Sequence, residues 1–106
     1  MSLSTHVLDA MSGKPATGVT VTLTDALDEP LTTATTDGDG RIAALGDDLP
    51  AGVYRLHFDT GGYFARLDVP TFYPEVVIVF EITDAASKYH VPVLLSPYAY
   101  STYRGS

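Results

Sequence analysis

The 106-residue chain carries 13 acidic residues against 6 Lys and Arg, a formal net charge of −7 at pH 7, and no cysteine. That balance excludes a nucleic-acid partner, which demands a basic stripe, and it excludes thiol nucleophiles, thiolate metal sites and disulfides. The length suits a single domain, residues 1–106, with a core small enough that oligomerisation would be a natural supplement; 7 Tyr and 4 Phe, with Val, Ile and Thr set between Gly and Pro turns, predict an all-β fold.

In chain order, residues 4–9 read as a first strand that stops at the Ser12-Gly13-Lys14-Pro15 turn. Residues 18–24 alternate, with Val19, Val21 and Leu23 on one face and Thr20, Thr22 and Thr24 on the other, as in a half-buried strand. Residues 31–36 supply its partner, closed by Asp37-Gly38-Asp39-Gly40, and Arg41 follows that turn directly. Residues 53–59 place Tyr54, Leu56 and Phe58 inward and Arg55, His57 and Asp59 outward. Residues 60–67 are the one helical stretch, with Thr60 as the expected N-cap and Gly61-Gly62 restricting it to a turn or two. Residues 75–82 are apolar on both faces, which predicts a strand covered on both sides or one lying at an interface. Residues 88–95 and 98–103 close the chain as a hairpin about Ser96-Pro97, for seven to eight strands in all. No apolar run reaches the ~20 residues of a membrane span, and the first dozen residues lack the features of a secretory signal, so the expected location is cytoplasmic.

Acid–base chemistry near neutral pH falls to His6, His57 and His90, since imidazole titrates near ~6.5. His6 and His90 sit mid-strand, where a side chain is held rigidly; a structural and a catalytic role are both open to them, whereas His57 reads as structural. A three-histidine metal centre is not expected, because no close His pair or His-Glu-x-x-His spacing exists and His57 faces away. Asp37-Gly38-Asp39-Gly40 lacks the later acidic ligands of a calcium loop and reads as a hairpin turn. Taken in isolation Arg41 reads as a solvated surface arginine, whereas beside histidines it offers a rigid fork for carbonyl oxygens or an oxyanion. Arg104 has the same capability, although the nearby Ser106 carboxylate is placed to satisfy it. The end of the chain is unusual, since Tyr103, Arg104 and the terminal carboxylate of Ser106 stand where frayed, small residues are the rule.

Five segments carry a family resemblance: Ser4-Thr5-His6-Val7-Leu8-Asp9 with Gly13-Lys14-Pro15-Ala16, Thr36-Asp37-Gly38-Asp39-Gly40-Arg41, Gly52-Val53-Tyr54-Arg55-Leu56 with Phe58-Asp59-Thr60, Phe72-Tyr73-Pro74-Glu75-Val76, and Tyr89-His90-Val91-Pro92-Val93 running on to Tyr103-Arg104-Gly105-Ser106. On these the chain resembles the transthyretin-related 5-hydroxyisourate hydrolase family. The resemblance implies a transthyretin-like (prealbumin-like) antiparallel β-sandwich and a homotetramer, a dimer of dimers with active sites where the dimers meet. It also implies hydrolysis of 5-hydroxyisourate in purine and urate catabolism, by opening of a cyclic amide without a metal or other cofactor. Carried over residue by residue, the catalytic positions are His6, Arg41, His90 and Ser106, and those that bind substrate are His6, Arg41, Tyr103 and Arg104. The resemblance is weakest at Gly61-Gly62, where relatives carry a better helix, and at Ala99.

Two other readings compete. Transthyretin has the same implied fold and carries hydrophobic hormones, but it looks different at both histidine positions and lacks the Tyr-Arg-Gly-Ser ending. A prealbumin-like structural module would need only Gly18-Val19-Thr20-Val21, Thr36-Asp37-Gly38 and Gly52-Val53-Tyr54.

Overall fold

The extended runs close into two sheets that share one core. The computed structural model describes residues 2–106, which form β1 (Ser2–Asp9), β2 (Lys14–Pro15), β3 (Thr20–Thr24), β4 (Pro30–Thr35), β5 (Arg41–Ile42), β6 (Gly52–Phe58), α1 (Thr60–Arg66), β7 (Val76–Ile82), β8 (Lys88–Ser96) and β9 (Ala99–Thr102). Seven of these strands have four residues or more, within the expected seven to eight, and β2 and β5 are two-residue additions. One sheet runs β2-β1-β8-β9, with β5 also paired to β1, and the other runs β4-β3-β6-β7. No described helix is long and apolar enough to cross a membrane.

Alternation decides which side chains enter the core. Leu3 and Val7 of β1, Val21 and Leu23 of β3, Leu56 and Phe58 of β6, and Val93 and Leu95 of β8 are essentially inaccessible to solvent. Burial of such a side chain contributes roughly 1.5–3 kcal/mol relative to exposure. The opposite face of β1 therefore carries Ser4, His6 and Leu8, all half-buried. Most strand pairings are antiparallel, but β1 and β8 run parallel and stay in register from Ser2 opposite Lys88 to Asp9 opposite Leu95. The first strand is two residues longer than the motif implied, because this ladder extends back to Ser2.

Three local expectations change. The N-cap of α1 is Asp59, whose Oδ1 accepts from Gly62 N at 3.0 Å. Thr60 is instead buried within the helix, where its hydroxyl donates to the Tyr73 carbonyl at 3.0 Å. Gly61 is not a defect in α1: a Cβ there would sit 2.6 Å from the Pro74 carbonyl oxygen, so only glycine lets the helix approach that segment. In β7, Val76 and Ile82 face the core, while Val79 on the outer face is 57% exposed, so a single chain covers only one side of this edge strand.

Asp9 closes β1 with a buried carboxylate. Its Oδ1 accepts from Met11 N at 2.9 Å, and its Oδ2 accepts from the Tyr63 hydroxyl of α1 at 2.7 Å. Burial, then the hydrogen bond to Asp9, push the Tyr63 phenol up to about 12. A phenol whose folded pKa lies above its ordinary value of 10 contributes stability that is complete below pH 10 and is lost as pH rises toward 12. Tyr63→Phe is expected to lower unfolding stability by roughly 1–3 kcal/mol at pH 7, because a charged acceptor loses its donor. Urea unfolding at stepped pH should also show that the variant has lost the wild-type decline between pH 10 and 12.

Candidate active site

The Asp37–Gly40 turn delivers Arg41 to β1. Asp37 Oδ1 accepts from Asp39 N at 2.9 Å and Arg41 N at 3.0 Å, and those bonds, the one from Arg41 first, hold its carboxyl below the usual carboxylate range. The two-residue strand β5 then pairs Ile42 with Thr5 and Arg41 with His6. Across β1, the parallel ladder sets Ser4 opposite His90 and His6 opposite Pro92. Thr5 and Val91 point into the core, so Ser4, His6, Arg41 and His90 gather on the outer face of one sheet.

The end of the chain folds back onto this face. Pro92 has no N–H to offer the adjacent strand, and its carbonyl accepts from the Thr102 hydroxyl at 2.8 Å. Regular pairing of β9 with β8 ends at Thr102 opposite Val93 and resumes as a single bridge, in which Gly105 N donates to the His90 carbonyl at 2.9 Å. A Cβ at Gly105 would overlap His90 Cδ2 and stand 3.2 Å from Pro92 Cγ, so glycine alone lets the tail lie against the imidazole. The Arg104 guanidinium sits 4.8 Å from the centre of the Tyr89 ring, a cation–π contact worth about 0.5–1 kcal/mol at an exposed site. The Ser106 carboxylate does not satisfy that guanidinium: among the described residues the one close approach of a basic side chain to a carboxylate is that of His57 to Asp28 at 3.1 Å.

Two clefts meet at Arg41 and His90. One, of about 230 Å³, is walled by Ser4, Arg41, Lys88, His90, Gly105 and Ser106. The other, of about 300 Å³, lies toward Asp37 and Ile42. An apolar cleft of about 320 Å³ adjoins His90 from the side of β7, lined by Ile78, Phe80, Tyr103 and Arg104 among others. Tyr103 is 60% exposed and faces that apolar cleft, so within one chain it is not brought into the two clefts at Arg41. His6 stands beside Arg41, its Nε2 hydrogen-bonded at 3.0 Å to the Asp39 carbonyl.

Those contacts define the imidazoles. A carbonyl can only accept, so Nε2 of His6 carries the hydrogen, and no described group bonds its Nδ1. His90 Nδ1 lies 2.8 Å from the Ser4 hydroxyl, and no described side chain bonds its Nε2. Burial, then the positive charge of Arg41 and then that of His6, lower the His90 pKa below 6.5, while a hydrogen bond with the Ser4 backbone opposes them. His57 lies on the outer face of the other sheet, bonded to Thr24 and Asp28, and no three metal-ligating side chains converge among the described residues. Sequence reasoning missed Ser4, Lys88 and the Asp39 carbonyl. Alternation already set Ser4 on the face of His6, but the register that brings it to His90 joins positions 86 residues apart.

A two-sheet sandwich with paired histidines, an arginine and a returning C-terminus on one outer face defines the class. The model of the HIUase/Transthyretin family matches residues 3–105, and the chain belongs to that family. It is 50% identical over 109 residues to the 5-hydroxyisourate hydrolase of Salmonella dublin, covering 98% of this chain and 80% of the relative. The structure of Klebsiella pneumoniae 5-hydroxyisourate hydrolase superposes with a TM-score of 0.93 at 43% identity, with full coverage of both chains. Sea bream transthyretin in complex with thyroxine superposes at 0.92 with 31% identity, covering 99% of this chain and 95% of that one.

Replacing Arg41 by glutamine removes the larger of the two positive charges that lower the His90 pKa. NMR titration of the imidazole carbons should find the wild-type His90 midpoint below 6.5 and a higher midpoint in Arg41→Gln, because imidazolium no longer meets a like charge. An unchanged or lower midpoint would contradict the electrostatic coupling.

Proposed function

We propose that the chain hydrolyses 5-hydroxyisourate in purine catabolism, opening a ring amide with its own side chains and no metal. The observation that carries this reading is the convergence of His90, Arg41, Gly105 and Ser106 on one cleft, with His6 alongside. Neutral His90 takes a proton from water at Nε2, the oxygen of that water adds to the ring carbonyl, and the carbon–nitrogen bond then breaks. His6 orients the water through Nδ1, and the proton taken up by His90 passes to the leaving ring nitrogen, which balances the hydrolysis and returns His90 to its neutral form. Arg41 binds the carbonyl oxygen as negative charge builds on it, a type of electrostatic contribution that often exceeds the others. Ser106 closes the cleft at the chain end, and Arg104, held over Tyr89, directs the tail there.

The proposal includes assembly as a homotetramer in the cytoplasm, with the whole chain acting as one domain. β7 and β9 are both edge strands, and exposed apolar groups such as Val79 and Tyr100 favour self-association. Apposed copies would enclose an outer sheet face that one chain leaves open, and they would bring Tyr103 to the substrate ring.

Freshly generated 5-hydroxyisourate should disappear faster with the protein than in buffer, and the acceleration should survive exhaustive chelation. His90→Asn is expected to lower kcat/KM about 100- to 10,000-fold. The wild-type kcat/KM should fall on acidification through a midpoint below 6.5, as His90 becomes charged. A decay rate equal to that of buffer would sink the enzyme reading.

Removing residues 103–106 tests the tail separately. Turnover should be lost while sedimentation still reports the wild-type oligomer. A truncated protein with full activity would exclude the tail from the site.

A further inference from the structure

Ser4 stands on the parallel ladder directly opposite His90 and is half-buried beside it. Its hydroxyl makes one side-chain hydrogen bond among the described residues, the 2.8 Å contact with His90 Nδ1. Both backbones are locked in register over the length of β1, so the contact is imposed by sheet pairing and not by a flexible loop. Ser4 also walls both of the clefts that share Arg41 and His90, which places it at the seam where those two residues meet.

We propose that Ser4 is the positioning residue of His90: its oxygen accepts a hydrogen bond from Nδ1–H, fixing the tautomer that leaves the Nε2 lone pair toward the cleft. Imidazole in water prefers the opposite arrangement, with hydrogen on Nε2, so a base that works through Nε2 needs an acceptor at Nδ1. The two nearby histidines then differ in handedness. The Asp39 carbonyl commits Nε2 of His6 and frees its Nδ1, whereas Ser4 commits Nδ1 of His90 and frees its Nε2. The pair thus presents one nitrogen of each kind to the same sheet face, without rotation of either ring. As His90 takes a proton, the Ser4 bond becomes a bond from a cation and strengthens at the moment positive charge appears.

This inference rests on the hydrolase reading, and its test has an arm that does not. Ser4→Ala should lower kcat about 10- to 100-fold, the usual worth of a hydrogen bond to a charged group, with KM changed no more than about threefold. Ser4→Thr retains the hydroxyl and should recover most of the loss. Long-range proton–nitrogen NMR of neutral His90 should show hydrogen on Nδ1 in the wild type and a shift toward Nε2–H in Ser4→Ala. A wild-type ring already protonated at Nε2 would overturn the proposal, as would a Ser4→Ala protein with wild-type kcat and an unchanged spectrum. If the wild type does not hydrolyse 5-hydroxyisourate, the function reading fails, and the NMR result alone decides the Ser4 contact. A thermal midpoint for Ser4→Ala close to that of the wild type, with Ser4→Thr rescue, separates positioning from loss of fold.

Discussion

The parallel pairing of β1 with β8 joins the two ends of the chain, and most of what the molecule presents on its surface depends on it. Eight consecutive residue pairs hold the strands from Ser2 opposite Lys88 to Asp9 opposite Leu95. Because side chains alternate with period two, this register determines both faces at once. Inward it stacks Leu3, Val7, Val93 and Leu95 in the core. Outward it sets Ser4 and His6 beside His90. A slip of one residue would expose the apolar set and bury the imidazoles, so burial of the core and registration of the site are enforced by the same free energy. Buried Thr5 secures the pairing from within, through a hydrogen bond from its hydroxyl to the Val91 carbonyl at 2.6 Å.

The returning tail depends on two residues that are unfavourable in ordinary strands. Proline is normally excluded from the interior of a sheet because it removes a donor, yet Pro92 lies in β8, flanked by β1 and β9. Its missing donor lies where β9 ceases to pair regularly. Glycine at position 105 then lets the chain come back close enough to bridge His90. Between them, Arg104 rests on Tyr89, whose hydroxyl is itself tied to the backbone by donors at Thr83 and Asp84. The tail is therefore anchored at several points, which explains why it forms a wall and not a frayed end.

Much of this architecture was legible in the sequence, for reasons that particular residues make plain. Val19, Val21 and Leu23, or Tyr54, Leu56 and Phe58, alternate with polar neighbours because one face of each strand is buried and the other is not. The turn before Arg41 was equally clear, since Asp37 and the glycines leave the backbone few alternatives. Contacts between distant positions were not legible. Nothing local in Ser4 announces His90, because their meeting depends on a register set by the whole ladder. At α1 the propensity argument misjudged the cap: Thr60 has the right chemistry, but its hydroxyl is claimed by Tyr73, and Asp59 one residue earlier does the capping. Residues 75–82 were apolar on both faces, as expected for a covered strand, yet one chain supplies cover for only one of them.

Scaffold and chemistry separate cleanly in this family. The sandwich superposes almost equally well on a 5-hydroxyisourate hydrolase and on a transthyretin with bound thyroxine, so the fold alone cannot decide between hydrolysis and carriage. The distinction lies in the outer face. Arg41, Lys88 and Arg104, half of the chain's basic residues, surround His90 in a protein with a net charge of −7. Such clustering of scarce cations in an acidic body leaves a local positive field suited to electron-rich oxygens. Burial first, and then the Arg41 charge, disfavour protonation of His90, so the guanidinium that would attract a polycarbonyl ring also helps keep the nearby nitrogen available as a base. A carrier needs shape and apolar area, and it gains nothing from an imidazole held neutral beside a guanidinium. On this chain the electrostatic arrangement, more than the sandwich that supports it, argues for catalysis.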